Sequence, residues 1–428
     1  MALTRRAPGP RGLPLSGNLW DIRADVLGFL LRTEERYGAV AQARLGHLRY
    51  HLVSDPALLE QVLWRRAERY TRASSANRKL VDITGSSLLT TVGDGWRTRR
   101  KLIAPFFTRE RMLAHVPVMR DLAERRLQAW TTANAGQVDA TAMLMELTCA
   151  IASQVLFGAA VEDPALPQAM DGILAHHWRR LKDPLQLAHR LPTRSRRAFD
   201  AGNRVVAGIV GAVQDRAGDG TLLGALQSAA MSGADLRVPD ELVTLLIAGH
   251  ETTANALGWA LHLLATHPEE QDLVRREAQQ ADADAWAQVN LPVATRVFQE
   301  AMRLYPPIWL IERQALVADE VGGFDIPAGA NLIVAPWVMH RSRRWWDEPE
   351  VFRPARFRTT PAKNVYIPFG VGPHACVGAN LALTEGPLLL AIIARAWRWR
   401  PVSRAMVQPL PGLTLRMKRP LRLLVEAV

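Results

Sequence analysis

Apolar residues recur at three- and four-residue spacing along DLAERRLQAW (121–130), AMLMELTCAIASQVLF (142–157), ELVTLLIAGHETTANALGWALHLLATH (241–267), VATRVFQEAMRLY (293–305) and ANLALTEGPLLLAIIARAW (379–397). That period predicts helices with one or more buried faces. Strand-like runs are shorter and fewer. AVAQARL with YHLVS (39–45 and 50–54), GGFDIPAGANLIVAP (322–336) and LTLRMKRPLRLLV (413–425) read as hairpins or small sheets. The expected fold class is therefore mainly α with small β-sheets, an α+β arrangement in which the sheets are segregated to one side. No repeat, low-complexity tract or Gly/Ser linker interrupts the 428 residues, so a single domain over 1–428 is expected, with residues 1–20 as a proline-rich extension.

Composition narrows this picture. An apolar content of 48% supports a sizeable core. The 53 basic residues against 41 acidic ones give +12, carried almost wholly by scattered arginines. No zinc-finger, RNP-type or basic-zipper pattern accompanies them, so nucleic acid is not an expected partner, and a basic face for an acidic protein is the sharper alternative to a solvated surface. No run reaches the roughly 18 apolar residues of a membrane span, and the basic N-terminus lacks an apolar core segment. A soluble, unanchored, cytoplasmic monomer is expected. Two cysteines, Cys149 and Cys376, form neither a disulfide framework nor a Cys-x-x-Cys pair. Cys149 lies in an apolar helical run and reads as a small buried hydrophobe.

Cys376 is different, because it sits in the loop PFGVGPHACVG (368–378) just ahead of a helical pattern. A cysteine before a helix N-terminus lies near unpaired N–H groups that favour its thiolate, which could be a nucleophile or a metal ligand. Gly372 and Gly378 would let the backbone approach a large flat ligand. Gly370, Gly372 and Ala375 also fit a dinucleotide loop, although only about fifty residues follow, too few for the strand-helix-strand units such a loop opens. Two further constellations stand out. Glu300 and Arg303 lie one turn apart on a predicted helix, as an ordinary surface ion pair or a joint brace. The segment Ala248-Gly249-His250-Glu251-Thr252-Thr253 places a glycine and β-branched residues mid-helix at a cost of about 1 kcal/mol for the glycine. Either small residues allow close helix packing with Thr252 bonded back to a carbonyl, or the helix bulges at a ligand where an acid and an alcohol relay protons.

Taken together, Phe369-x-x-Gly372-x-His374-x-Cys376-x-Gly378, Glu300-x-x-Arg303, Ala248-Gly249-x-Glu251-Thr252-Thr253 and Phe352-Arg353-Pro354-Ala355-Arg356-Phe357 resemble the cytochrome P450 haem-thiolate monooxygenases of soluble bacterial type, in that family's order and over nearly the whole chain. The resemblance implies haem b with Cys376 as the proximal iron ligand. It implies Trp96, Arg100, Arg313 and His374 as propionate partners, Phe369, Gly372 and Gly378 as loop positions against the porphyrin, and Glu300, Arg303 and Arg356 as a structural triad. His374 stands where arginine is usual. Thr252 is implied in oxygen activation and Glu251 in proton supply, with dioxygen as co-substrate. Substrate-facing positions are implied at Leu245, Ala248, Ile308, Trp309, Leu310 and Leu413, around Val81 to Leu89 and near Trp178.

These positions are mostly apolar, so a lipophilic substrate, terpenoid, fatty acyl or polyketide-like, is expected to be hydroxylated or epoxidised. Only 52 residues follow Cys376 (377 to 428), so no fused reductase is expected. Electrons would come from NAD(P)H through a separate ferredoxin reductase and ferredoxin. A peroxide-using or isomerase-type haem-thiolate enzyme, and a non-catalytic haem-binding sensor, are the alternatives.

Overall fold

A computed structural model describes residues 5–428 apart from 129, 131–135, 162, 164, 183–190, 215–219 and 404–405. Its contacts group the chain into two compact units, one formed by 1–78 with 303–376 and the other by 79–302 with 377–428.

The first unit is built on a five-stranded sheet in the order Val40–Leu45, Leu48–Val53, Asn331–Val334, Ile311–Ala315, Tyr70–Thr71. The first two strands form the predicted hairpin, with Ala41 opposite Leu52. Asn331–Val334 then runs parallel to Leu48–Val53, pairing Val53 with Val334, while its other edge is antiparallel to Ile311–Ala315. Val40, Val53, Leu332 and Val334 join Leu59, Val62, Leu63 and Ile367 in one buried apolar cluster. That cluster sits beneath the loop leading to Cys376. Residues 322–336, expected as a hairpin or small sheet of their own, divide between two sheets, because Phe324–Ile326 turns back on Asp319–Val321 while Asn331–Val334 enters the large sheet.

The second unit is helical. Its centre is the 29-residue helix Val238–Thr266, with Trp259 among the largest side chains fully removed from solvent. Ala140–Phe157 packs beside it, started by Asp139, whose carboxylate accepts from the Ala142 amide at 3.0 Å, and stopped by Gly158 in the left-handed region. The five predicted helices are all present, at Val116–Gln128, Ala140–Phe157, Val238–Thr266, Pro292–Leu304 and Ala379–Ala396. Leu413 to Val425 does not form one hairpin. Leu415–Met417 pairs with Pro409–Pro411, and Arg422–Ala427 lies between Gln137–Asp139 and Trp397–Pro401. Among the described residues, Ala140–Phe157 and Ala379–Ala396 are long and apolar enough to cross a membrane, yet both are mostly buried in the protein, as core helices are.

Candidate functional site

The two cysteines part company at once. Cys149 is buried, and burial pushes its thiol up to about 12. Cys376 is exposed at the end of a loop tied across its base, where the Cys376 amide donates to the Phe369 carbonyl at 2.9 Å. Inside that closure Ala375 donates to Gly372 at 2.9 Å, and at its start Gly370 donates back to Ile367 at 3.0 Å. The Ile367 amide in turn donates to Nε2 of buried His340 at 2.8 Å. The loop is thus a rigid scaffold presenting a sulfur. Gly372 has φ +80°, and a Cβ on it would overlap the Leu63 carbonyl oxygen. The loop's own seat against Leu63 therefore requires a glycine here. Gly378, with φ −85°, caps the helix Ala379–Ala396 and needs no glycine-specific backbone. Phe369 and His374 are half-buried in the same loop.

Arg303 and Arg356 meet in the first unit. Arg303 is fully buried and donates to the carbonyls of His340 and Pro349, both at 2.7 Å, and to Val351 at 3.3 Å. Arg356 reaches the same Val351 carbonyl at 3.2 Å and that of Asp347 at 3.0 Å. Both guanidiniums lie over the Trp346 ring, at 5.1 and 5.9 Å. Glu300, one helical turn before Arg303, is likewise fully buried, so neither is surface decoration.

Arg313 lies on Ile311–Ala315, only 9% exposed, and donates to the Glu312 carbonyl at 2.8 Å. Among the described residues no carboxylate pairs with it, and burial pulls its pKa down to about 10. A buried cation with no anion is costly unless a ligand supplies one. On the helix Gly93–Ile103, Trp96 and Arg100 are half-buried and share one face at i, i+4. Their neighbour Arg99 points elsewhere, pairing at 2.8 Å with buried Glu241. Glu241 also accepts from the Leu88 amide, and burial raises its pKa against those two partners.

The long helix carries the acid and the alcohol. It is regular α-helix throughout, so of the two readings of this segment the bulge is absent. Gly249 instead packs on Ala152, at 3.3 Å from where its Cβ would lie, and the Thr148 hydroxyl donates to the His250 carbonyl at 3.0 Å. Thr252 bonds back to the Ala248 carbonyl at 2.9 Å. Close helix packing therefore accounts for the small residue, and back-bonding for the hydroxyl's present partner. Packing leaves one thing unexplained. In a helix with most residues buried, Ala248 is exposed and Thr252 half-exposed on the same face.

Glu251, by contrast, is buried, accepting from the Thr414 hydroxyl at 2.5 Å and from Arg416 Nε at 2.6 Å, both at Oε1. No described group bonds Oε2. Arg416 Nη1 continues to Asp171 at 2.7 Å, which leads from the buried acid to a largely exposed carboxylate. Burial pulls the Arg416 pKa down, but Glu251 and Asp171 raise it overall. Thr414, Arg416 and Asp171 were not legible as partners of Glu251, because more than 160 residues separate Glu251 from Thr414 and Arg416. Of the expected substrate positions, Ala248 and Ile308 are exposed, Leu310 and Leu413 half-buried, and Leu245 and Trp309 buried at 5% exposure.

A family model for Cytochrome P450 matches residues 7–425. The chain belongs to the cytochrome P450 family. Among similar curated proteins are "Cyclooctatin synthase" of Streptomyces melanosporofaciens, 31% identical over 99% of this chain and 96% of its own, and "Cyclooctat-9-en-7-ol 5-monooxygenase" of the same organism, 31% identical over 96% and 91%. "Pentalenene oxygenase" of Streptomyces avermitilis is 26% identical over 98% and 96%. This is a cytochrome P450 monooxygenase, an oxidoreductase whose cofactor is haem and whose oxidant is dioxygen. The described residues fit that group. An exposed thiol stands on a braced loop, a buried guanidinium lacks an anion, and the long helix has an open face at Ala248 and Thr252.

Proposed function

We propose that this cytochrome P450 oxidises a lipophilic, terpenoid-like molecule by hydroxylation or epoxidation, as a cytoplasmic single-domain monomer fed from NAD(P)H through a separate ferredoxin reductase and ferredoxin. The observation that carries the reading is the open Ala248 and Thr252 face within a mostly buried helix, beside an acid with one oxygen anchored. The terpenoid class is supported by the names of the three relatives. Fatty acyl and polyketide-like substrates share the same apolar demand.

Cys376 is the proposed axial ligand and Arg313 a propionate partner, joined by Trp96, Arg100 and His374. Phe369, Gly372 and Gly378 shape the Cys376 loop. Thiolate-ligated haem, when bound, supplies the activation of dioxygen. The chain's own residues supply position and protons. Thr252 Oγ1 keeps its hydrogen bond to Ala248 while its lone pairs stay available to a donor on the open face. Glu251 is steered by Thr414 and Arg416 through Oε1, leaving Oε2 to carry a proton. Arg303 and Arg356 hold the backbone at 340–351, with Glu300 as the proposed third member of this structural triad. Leu245, Ala248, Ile308, Trp309, Leu310 and Leu413 are the proposed apolar lining.

The test is spectroscopic. The reduced protein under carbon monoxide should give the red-shifted Soret band of a thiolate-ligated haem, and a screen of terpene hydrocarbons should find one that shifts the ferric spin state. Product formation that depends on reductant and dioxygen supports the monooxygenase reading, whereas turnover with peroxide alone, in the absence of reductant, would replace it.

A further inference from the structure

Leu15 is 91% exposed, Trp20 59% and Leu13 57%, all within eight residues of the first unit. Single exposed apolar side chains need no explanation. Leu13 and Leu15 sit on a hydrogen-bonded turn, and Trp20 follows on the helix Leu19–Ala24. Leu13 and Gly17 exchange backbone hydrogen bonds at 2.9 and 3.0 Å, which puts Pro14, Leu15 and Ser16 at the tip. Arg44 Nη2 donates to the carbonyls of Leu13 at 3.1 Å and Pro14 at 2.6 Å. The Ser16 carbonyl accepts from Gly46 at 3.1 Å and Leu19 at 3.3 Å. Three of the four backbone acceptors from Leu13 to Ser16 are therefore bonded within the protein, and Pro14 has no N–H to satisfy. The knob presents hydrocarbon with few unpaired polar groups behind it.

Charge surrounds this hydrocarbon. Between residues 5 and 23 there are four arginines, Arg5, Arg6, Arg11 and Arg23, and one acid, Asp21, all exposed. The Arg23 guanidinium lies 5.8 Å from the Trp20 ring. An aromatic with a basic neighbour beside protruding leucines is the chemistry of a side that lies on a bilayer surface. A convex knob also suits a fluid interface, which closes around it, whereas a folded partner would need a matching pit.

We propose that the Leu13 to Trp20 knob seats this protein reversibly on an anionic lipid surface, with Leu13, Leu15 and Trp20 entering the headgroup boundary and Arg11 and Arg23 meeting lipid phosphates. The inference does not depend on the substrate reading. Without a covalent lipid, such a contact is weak and salt-sensitive.

Haem-loaded full-length protein is mixed with phosphatidylcholine vesicles, with and without phosphatidylglycerol, and the bound fraction is read by flotation. Binding to the anionic vesicles that weakens with salt, and little binding to neutral ones, is expected. Leu15→Ser combined with Trp20→Ala should lower partitioning roughly tenfold or more. Arg11→Glu with Arg23→Glu should lower it on anionic vesicles. All variants should keep the wild-type visible spectrum and melting temperature, since the altered side chains are exposed. Wild type that ignores anionic vesicles, or variants that bind as well as wild type, overturns the proposal. So does a dimer in sedimentation velocity that Leu15→Ser dissolves, which assigns the knob to a second copy, or a ferredoxin complex that Leu15→Ser weakens, which assigns it to a protein.

Discussion

At Glu251 the two oxygens of one carboxylate have different surroundings, and that asymmetry makes the roles of its neighbours testable. Arg416→Ala would leave a buried carboxylate with Thr414 alone and should cost about 3 kcal/mol in urea unfolding. Glu251→Gln in the same background should recover most of the loss, because no buried charge then remains unpaired. Thr252→Ala removes an exposed back-bond and should change stability by under ~1 kcal/mol, yet lower product formed per electron consumed by about tenfold or more. Cys376→Ala should abolish the red-shifted carbon monoxide band, whereas Cys149→Ala should keep it. Glu385 offers a pH test. It is fully buried on Ala379–Ala396 with neither carboxylate oxygen hydrogen-bonded among the described residues, and desolvation raises its pKa well above 4.5. A carboxyl raised in the folded state favours folding below its unfolded pKa and loses that advantage as pH rises towards the folded value. Stability should therefore fall by up to about 1.4 kcal/mol per pH unit above 4.5, and Glu385→Gln should flatten that slope in melts taken from pH 5 to about pH 8.

Among elements, helices and the first hairpin were legible and the distant strand partners were not. Helix hydrogen bonds and amphipathic faces close within four residues, so spacing alone located the five helices. Strand pairing is chosen by distant chain. Leu48–Val53 pairs in parallel with Asn331–Val334, which nothing in either run specifies. The Cys376 loop shows the same division, because its glycines are visible in sequence but their reasons differ. Gly372 combines φ +80° with a Cβ that would overlap Leu63, while Gly370 has φ +69° and its nearest contact at 3.5 Å. Gly372→Ala should destabilise the protein by about 2–3 kcal/mol, and Gly370→Ala by about 1 kcal/mol. Melting curves of the haem-loaded variants separate the two cases.

For the whole molecule, charge and chain order are set by sequence. On the proposed ferredoxin route, the formal charge of +12 predicts that electron transfer from an acidic ferredoxin slows as ionic strength rises, a dependence stopped-flow reduction would show. The sequence by itself also determined the family, because four short motifs each need local chemistry: a thiol in a loop, an acid and a base one turn apart, small residues before an acid and an alcohol, and the arginine-bearing segment Phe352 to Phe357. What only the tertiary structure decided is which groups satisfy those motifs. It gave Glu251 to Thr414 and Arg416, brought Arg303 and Arg356 to one carbonyl at Val351, and left Arg313 buried with no anion among the described residues. Those pairings cross tens to more than a hundred residues of chain. Burial fixes them, because a charge withdrawn from water must find whatever partner the fold brings to it.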